Sequence, residues 1–179
     1  MRKVLYILGQ LTDEDVEWLA QKGQRREIGQ GGFLTEEGKP VTRIAIILRG
    51  LADVRIDKGR RSVATLGAGD IVGEISLVDQ RPATATVVCQ EGLLCLEISH
   101  ELLLNRFGED IAFSARFYRA IALFMATRMR STVEQLGQKS DKKDLASLDD
   151  DEVDDQILDR VHLAGQRFEM ILSRLGAHG

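Results

Sequence analysis

The chain has 179 residues, of which 44% are hydrophobic and 29% charged, and its formal net charge is −4. This length accommodates one domain and a helical appendage, and the composition excludes disorder throughout. The acidic balance argues against a nucleic-acid-binding protein. No apolar run approaches the roughly 20 residues of a membrane span. Cys89 and Cys95 are too few for a disulfide scaffold, so we expect a protein of the reducing cytoplasm.

A short N-terminal helix is predicted first. Thr12 and the acidic residues after it have the pattern of a capping box. The helix carries an apolar face and is expected to end near Gly23. Trp18 lies on it and is interpreted as a packing residue. The apolar face consists of Val16, Leu19 and Ala20.

Short apolar or alternating runs then recur between Gln24 and Ser99. Turn signals rich in glycine separate them, a pattern typical of a β-sandwich or jelly roll. Arg49-Gly50 is interpreted as a turn, and Glu91-Gly92 as a tight hairpin between two strands. The expected strands are Phe33-Leu34, Ile44–Leu48, Leu51–Ile56, Ser62–Leu66, Ala83–Val88 and Leu93–Ile98.

The pattern becomes helical after Ser99. Glu101–Arg106 is predicted as a short hinge helix interrupted at Gly108, and Glu109–Leu136 as a long helix. The polar, acidic stretch 138–155 is interpreted as a solvated linker; it lacks the alternating ligands and the glycine of an EF-hand loop. A final amphipathic helix completes the chain.

The predicted fold is therefore α+β: an antiparallel β jelly roll with a short N-terminal helix, a hinge helix, a long helix and a C-terminal amphipathic helix. The expected divisions are 1–107, 108–137, 138–155 and 156–179. The apolar stripes of the last two helices need burial, and we expect a homodimer through them. The stripes contain Ile111, Tyr118, Ile121, Met125, Met129, Val133 and Leu136, and then Val153, Ile157, Val161, Ala164, Phe168, Ile171 or Leu172, and Leu175.

Residues 66–87 read LGAGDIVGEISLVDQRPATATV. The turn Leu66–Asp70, the element Val72-Gly73-Glu74 and the segment Pro82–Val87 follow one another as in the phosphate-binding cassette of the cyclic-nucleotide-binding domain superfamily, which this chain resembles over residues 5–135. The resemblance implies a cyclic-nucleotide-binding β-roll, with cAMP or cGMP as the ligand.

The resemblance also implies roles for individual residues. Gly73 allows backbone N–H groups to approach a phosphate closely. Glu74, with Ile75 at the start of a short helix, corresponds to the family's acceptor for the ribose 2′-hydroxyl. Ser76 and Thr84 are candidate hydroxyls for the phosphate.

One position departs from the family pattern. The arginine that pairs with the cyclic phosphate in the family falls on Ala83. Arg81 is the nearest cation, but it lies beyond Pro82, which fixes the local backbone. Loss of a charge-assisted hydrogen bond of about 1.5–3 kcal/mol predicts roughly ten- to a hundredfold weaker binding of a cyclic mononucleotide.

Two hypotheses follow. In the first, the chain is a regulatory sensor in which ligand binding moves the hinge and the long helix. In the second, it is a degenerate roll used for dimerisation or for docking a protein partner. No recognition helix follows the long helix, so DNA binding is not expected. His100, His162 and His178 match no metal-ligand spacing, and we expect no catalysis.

The helix that follows the roll also contains several aromatic residues. In the family a residue of this helix often covers the base of the ligand. Aromatic residues at helical spacing belong more often to a core or a dimer seam, so none is assigned as a lid. The four aromatic residues are Phe113, Phe117, Tyr118 and Phe124.

Overall fold

The computed structural model of the chain describes residues 8–140 and 155–176. The predicted α+β jelly roll is confirmed. Its strands are β1 Gln24–Ile28, β2 Phe33–Thr35, β3 Arg43–Ile56, β4 Arg61–Leu66, β5 Ile71–Val72 and β6 Thr86–Ser99. Its helices are α1 Asp13–Lys22, α2 Glu74–Asp79, α3 His100–Glu109, α4 Ile111–Ser140 and α5 Asp155–Arg174.

Two long antiparallel strands, β3 and β6, form the centre of the roll. The sheet runs β1-β6-β3-β4, with β2 paired to β6 and β5 paired to β3. Each central strand is 14 residues long and so extends through both halves of the roll. β1 was not among the expected strands, because four of its five side chains are exposed and give no apolar signal.

The tight hairpin predicted at Glu91-Gly92 is wrong, and so is the turn at Arg49-Gly50. Both dipeptides lie inside continuous strands and face each other across the β3–β6 ladder, where the register shifts. Gly50 has φ +91°, and a Cβ there would lie 2.3 Å from the carbonyl oxygen of Gly92. These glycines therefore form a β-bulge that bends the two strands together.

Alternation along β3 separates two apolar cores. Ile44 and Ile46 face a core shared with the helices, whereas Ala45 and Ile47 face the interior of the roll. A strand that is buried on both faces reads as a continuous apolar run, as Ile44–Leu48 does. The roll therefore has its own interior, and the helices cover its outer face.

The capping box of α1 is confirmed. Thr12 N–H donates to Asp15 Oδ2 at 2.8 Å, and Asp15 N–H donates to Thr12 Oγ1 at 3.2 Å. Gly23 is the C-terminal cap, as expected. Trp18 packs on Phe113 of α4, with ring centroids 5.5 Å apart.

The break between α3 and α4 lies at Asp110, so the interruption predicted at Gly108 is wrong. α3 continues through Gly108, where an added Cβ would meet nothing within 4 Å. Asp110 Oδ1 accepts from the N–H of Phe113, and Oδ2 accepts from Arg106 Nη2, each at 2.9 Å. One side chain thus caps α4 and ties it to the last turn of α3.

α4 has an apolar residue set on each of two opposite sides. One set packs on the helical core: Phe113, Phe117, Ala120, Ile121 and Phe124. The other is exposed: Ile111, Tyr118, Met125, Met129 and Val133. We call this second set the α4 stripe. Ile121, which the sequence placed with the stripe, belongs to the buried set.

α5 packs against α1 within the same chain. Ala164 and Ile171 are fully buried in the helical core. Arg167 is 6% exposed; it donates through Nε to Asp13 Oδ1 at 2.7 Å and through Nη1 to the Leu8 carbonyl oxygen at 2.8 Å. At these positions, the apolar side of α5 is thus covered by its own chain.

Residues 138–140 of the predicted acidic linker close α4, and Asp155 opens α5. The rest of that segment lies outside the described residues, as does His178. Within the parts of the chain that the structure describes, no helix is long and apolar enough to cross a lipid bilayer.

Candidate functional site

The backbone between β5 and α2 requires a glycine at position 73. Gly73 has φ +94° and forms the N-terminal cap of α2. A Cβ at this position would lie 2.3 Å from the Arg43 carbonyl oxygen and 3.2 Å from Val41 Cγ1. Both the conformation and the space therefore exclude a side chain.

The turn before β5 is fixed by Asp70. Asp70 Oδ2 accepts from the N–H of Gly67 at 2.9 Å. Two further bonds join the turn to β3: Gly69 N–H to the Ile47 carbonyl oxygen at 2.7 Å, and Ile47 N–H to the Asp70 carbonyl oxygen at 2.9 Å. The cassette thus starts from a rigid strand.

A cavity opens beside the cassette, between α2, the segment 82–85 and α4. Its walls bring together six of the seven residues that the sequence singled out. Arg81 does not line it; Arg81 lies in a neighbouring groove with Gln80 and His100. The six are Gly73, Glu74, Ile75, Ser76, Ala83 and Thr84, and the other lining residues are Thr35, Val41, Val54, Leu66, Ile71, Val72, Pro82, Ala85, Val87 and Arg128.

The carboxylate of Glu74 and the guanidinium of Arg128 form an ion pair in this cavity. Arg128 Nη1 donates to Glu74 Oε1 at 2.8 Å. Glu74 is 3% exposed, whereas the Arg128 side chain is 32% exposed. The guanidinium carbon of Arg128 also lies 5.4 Å from the ring centroid of Phe124. α4 is thereby connected directly to the cassette.

Burial raises the pKa of the Glu74 carboxyl above its ordinary value. Arg128 opposes this shift, and the negative charge of Asp70 adds to it. Removal from water disfavours the charged form of a carboxyl group, and one guanidinium compensates only in part. The Glu74 carboxyl is therefore easier to protonate than an ordinary glutamate carboxyl.

Ala83 contributes backbone and no charge. Its N–H donates to the Lys39 carbonyl oxygen at 2.9 Å, and its carbonyl oxygen accepts from Gly38 N–H at 2.8 Å. Nearby, Thr35 Oγ1 donates to the Ala85 carbonyl oxygen at 3.2 Å. The loop 35–39 thus holds the 83–85 segment in place, and this segment brings no charged side chain to the cavity wall.

Arg128 was not predicted from the sequence. It lies 54 residues after Glu74, and no local pattern distinguishes it from the other arginines of α4. The resemblance indicated that the helix after the roll contributes to the site, but it drew attention to aromatic residues. Phe113, Phe117 and Phe124 are instead fully buried core residues.

His100 connects the cassette to the start of α3. Burial lowers the pKa of its imidazole, while the neighbouring backbone of Gly73 and Arg43 opposes that shift. The backbone N–H of His100 donates to the Thr42 carbonyl oxygen at 2.8 Å. A residue that the sequence placed only at a helix start thus packs behind the cassette glycine.

Comparison with known proteins supplies the family. Residues 25–110 match the model of the cyclic nucleotide-binding domain. This part of the chain, residues 25–110, belongs to the cyclic nucleotide-binding domain superfamily. The described residues of this domain contain no group of three or more His, Cys, Asp or Glu side chains that could hold a metal ion.

Individual proteins are similar to this chain in sequence or in fold. A cGMP-dependent protein kinase of Plasmodium berghei is 33% identical over 86 residues, which cover 48% of this chain and 10% of the kinase. The chain thus spans a tenth of that relative. A cyclic nucleotide-binding domain from Methylobacillus flagellatus has a TM-score of 0.69 at 22% identity, covering 82% of this chain and 85% of that one. The catabolite activator protein of Thermus thermophilus has a TM-score of 0.60 at 21% identity, covering 93% and 84%.

Proposed function

We propose that this domain is a regulatory sensor that binds a cyclic nucleotide, cAMP or cGMP, in the cavity beside α2. One observation carries the proposal: a buried carboxylate, Glu74, lies at the wall of a cavity whose backbone at Gly73 has no room for a side chain. Glu74 accepts the ribose hydroxyl, and the hydroxyls of Ser76 and Thr84 face the phosphate end.

The long helix is the output element in this proposal. Arg128 pairs with Glu74, and Arg116, further back on α4, makes two bonds to Asp15 of α1, at 2.6 and 2.8 Å. A ribose hydroxyl that binds Glu74 competes with Arg128. Ligand binding therefore changes the contact of α4 with the cassette, and the Asp15–Arg116 pair passes that change to α1.

A thermal-shift panel tests the ligand class. Cyclic AMP and cyclic GMP are expected to raise the melting temperature of the nucleotide-free protein, whereas 5′-AMP and 5′-GMP raise it less. Glu74→Ala is expected to reduce the shift, because the buried acceptor for the ribose hydroxyl is lost. Glu101→Ala, which removes an acid from outside the cavity wall, serves as the matched control and should keep it. A shift that is equal in the Glu74→Ala variant contradicts the assignment.

A second candidate function is a degenerate roll that serves as a dimerisation or docking module for a protein partner. Ala83 favours it, because the phosphate loses its cation, and so does the α4 stripe, whose Met129 is 70% exposed. We propose that the stripe forms a homodimer contact; this is compatible with either function. We further propose that the domain is cytoplasmic, does not bind DNA and is not itself an enzyme.

A further inference from the structure

The charges of the cavity wall do not balance those of an anionic ligand. Among the lining residues that the structure describes, Glu74 and Arg128 carry the charge, one negative and one positive. Their sum is zero before any ligand enters. A cyclic phosphate brings one further negative charge into the same space, and Ala83 offers nothing against it.

The surroundings of Glu74 make this imbalance larger. Arg128 faces it from α4, and the charge of Asp70 acts on it from the turn before β5. The hydroxyls of Thr35, Ser76 and Thr84 in the wall are neutral. With a phosphate present, the cavity wall would hold one guanidinium, that of Arg128, against two anions, the Glu74 carboxylate and the phosphate. An uncompensated charge away from water is costly, and a carboxyl group in that position takes up a proton instead.

We propose that binding of a cyclic nucleotide is coupled to the uptake of one proton by Glu74, so that the charge of Arg128 becomes available to the phosphate. This inference rests on the proposed function. The proton comes from solvent and neutralises the carboxylate, and the ion pair with Arg128 is exchanged for one between Arg128 and the ligand. A protonated carboxyl still accepts through one oxygen and donates through its O–H, so the ribose contact is kept.

The sign of the pH dependence follows from linkage. The bound state has the higher Glu74 pKa, because the phosphate is a second negative charge and Arg128 has turned to it. Between the free and the bound pKa, binding takes up a proton, and affinity falls by up to about tenfold per pH unit as the pH rises. At a pH below both pKa values, or above both, the protonation of Glu74 does not change on binding, and affinity does not vary with pH through this group.

Titration calorimetry of the full chain with cAMP and with cGMP tests the inference. At each pH between 5.5 and 8.5, the titration is repeated in buffers of different ionisation enthalpy, and the dependence of the observed enthalpy on the buffer gives the protons taken up. We expect net proton uptake on binding within this range. Binding without proton uptake anywhere in the range overturns the inference and leaves the proposed function standing.

Variants test whether Glu74 is the group that takes up the proton. Glu74→Gln is expected to remove the proton uptake, because a neutral amide needs no proton. Ala83→Arg is expected to remove it as well, because it gives the phosphate a positive charge. Ala83→Gln adds a long side chain without the charge of Ala83→Arg; it is the matched control and should keep the proton uptake. His100→Gln should also keep it, although His100 packs on the backbone of Gly73. Uptake that survives in Glu74→Gln, or disappears in His100→Gln, contradicts the assignment. Absence of binding of either nucleotide at every pH overturns the proposed function, and this inference with it.

Discussion

Among single residues of the site, Gly73 is constrained both by its backbone conformation and by the space around it. Its positive φ and the carbonyl oxygen of Arg43, 2.3 Å from the position of a Cβ, exclude other residues independently. The two effects can be separated, because Gly38 has a similar φ of +80° with nothing within 4 Å of its Cβ position. Strain alone acts at Gly38, and strain and collision act together at Gly73.

We therefore predict that Gly73→Ala destabilises the fold more than Gly38→Ala does. Strain in the left-handed region costs on the order of 1–2 kcal/mol. The collision with backbone adds to this at position 73, and we expect a difference of at least about 1 kcal/mol. Urea denaturation measures the free energy of unfolding of both variants. An equal loss of stability in the two would contradict the prediction and would show that the cassette can move away from β3.

The half-buried imidazole of His100 predicts a pH dependence of stability. Its folded-state pKa lies below the ordinary value of 6.5. The unfolded chain therefore binds more protons in that window, and stability is lost as the pH falls from neutral through the folded-state pKa. His100→Gln is expected to flatten the dependence of the urea midpoint between pH 7 and pH 5. An unchanged slope would assign the acid lability to other groups.

Between elements, the break between α3 and α4 at Asp110 gives a simple prediction. Gly108 lies inside α3 with free space around it, and a helix with glycine in its interior is less stable than one with alanine there. Gly108→Ala should therefore stabilise the protein by roughly 0.5–1 kcal/mol. Gly50→Ala, which would place a methyl group against Gly92 in the bulge, should destabilise it. A loss of stability in Gly108→Ala would mean that the hinge bends at Gly108.

Some of these elements were predicted correctly from the sequence, and others were not. Local signals were sufficient where the cause is local: the capping box of α1, the cassette turn and the strand β4 were all predicted. The dipeptides Arg49-Gly50 and Glu91-Gly92 were misread, because a glycine bulge and a glycine turn look alike until the partner strand is known.

The sequence also did not predict which side chains from distant parts of the chain meet at the site. Six of the seven predicted site residues line one cavity because the cassette is contiguous in sequence. Arg128 reaches the cavity only through the packing of α4, and that packing depends on which apolar set of α4 is buried. The sequence mixed the two sets, as the placement of Ile121 shows.

For the whole molecule, the α4 stripe predicts self-association. Its five exposed apolar side chains lie opposite the buried set of the same helix. Met129→Glu is expected to shift a dimer towards monomer in sedimentation experiments, because a charge in an apolar contact is costly. Val63→Glu, at an exposed apolar position on β4, is the matched control and should leave the mass unchanged. A wild-type monomer at all concentrations contradicts the proposed contact.

The whole account depends on whether the cavity at Glu74 and Arg128 takes a cyclic nucleotide. Equilibrium titration of nucleotide-free wild-type protein with cAMP and with cGMP tests this most directly. The account predicts one saturable site per chain, and at least about tenfold weaker binding in Glu74→Ala, since a buried hydrogen-bond acceptor is lost. Absence of saturable heat with both nucleotides, or identical affinities in the two proteins, would contradict it.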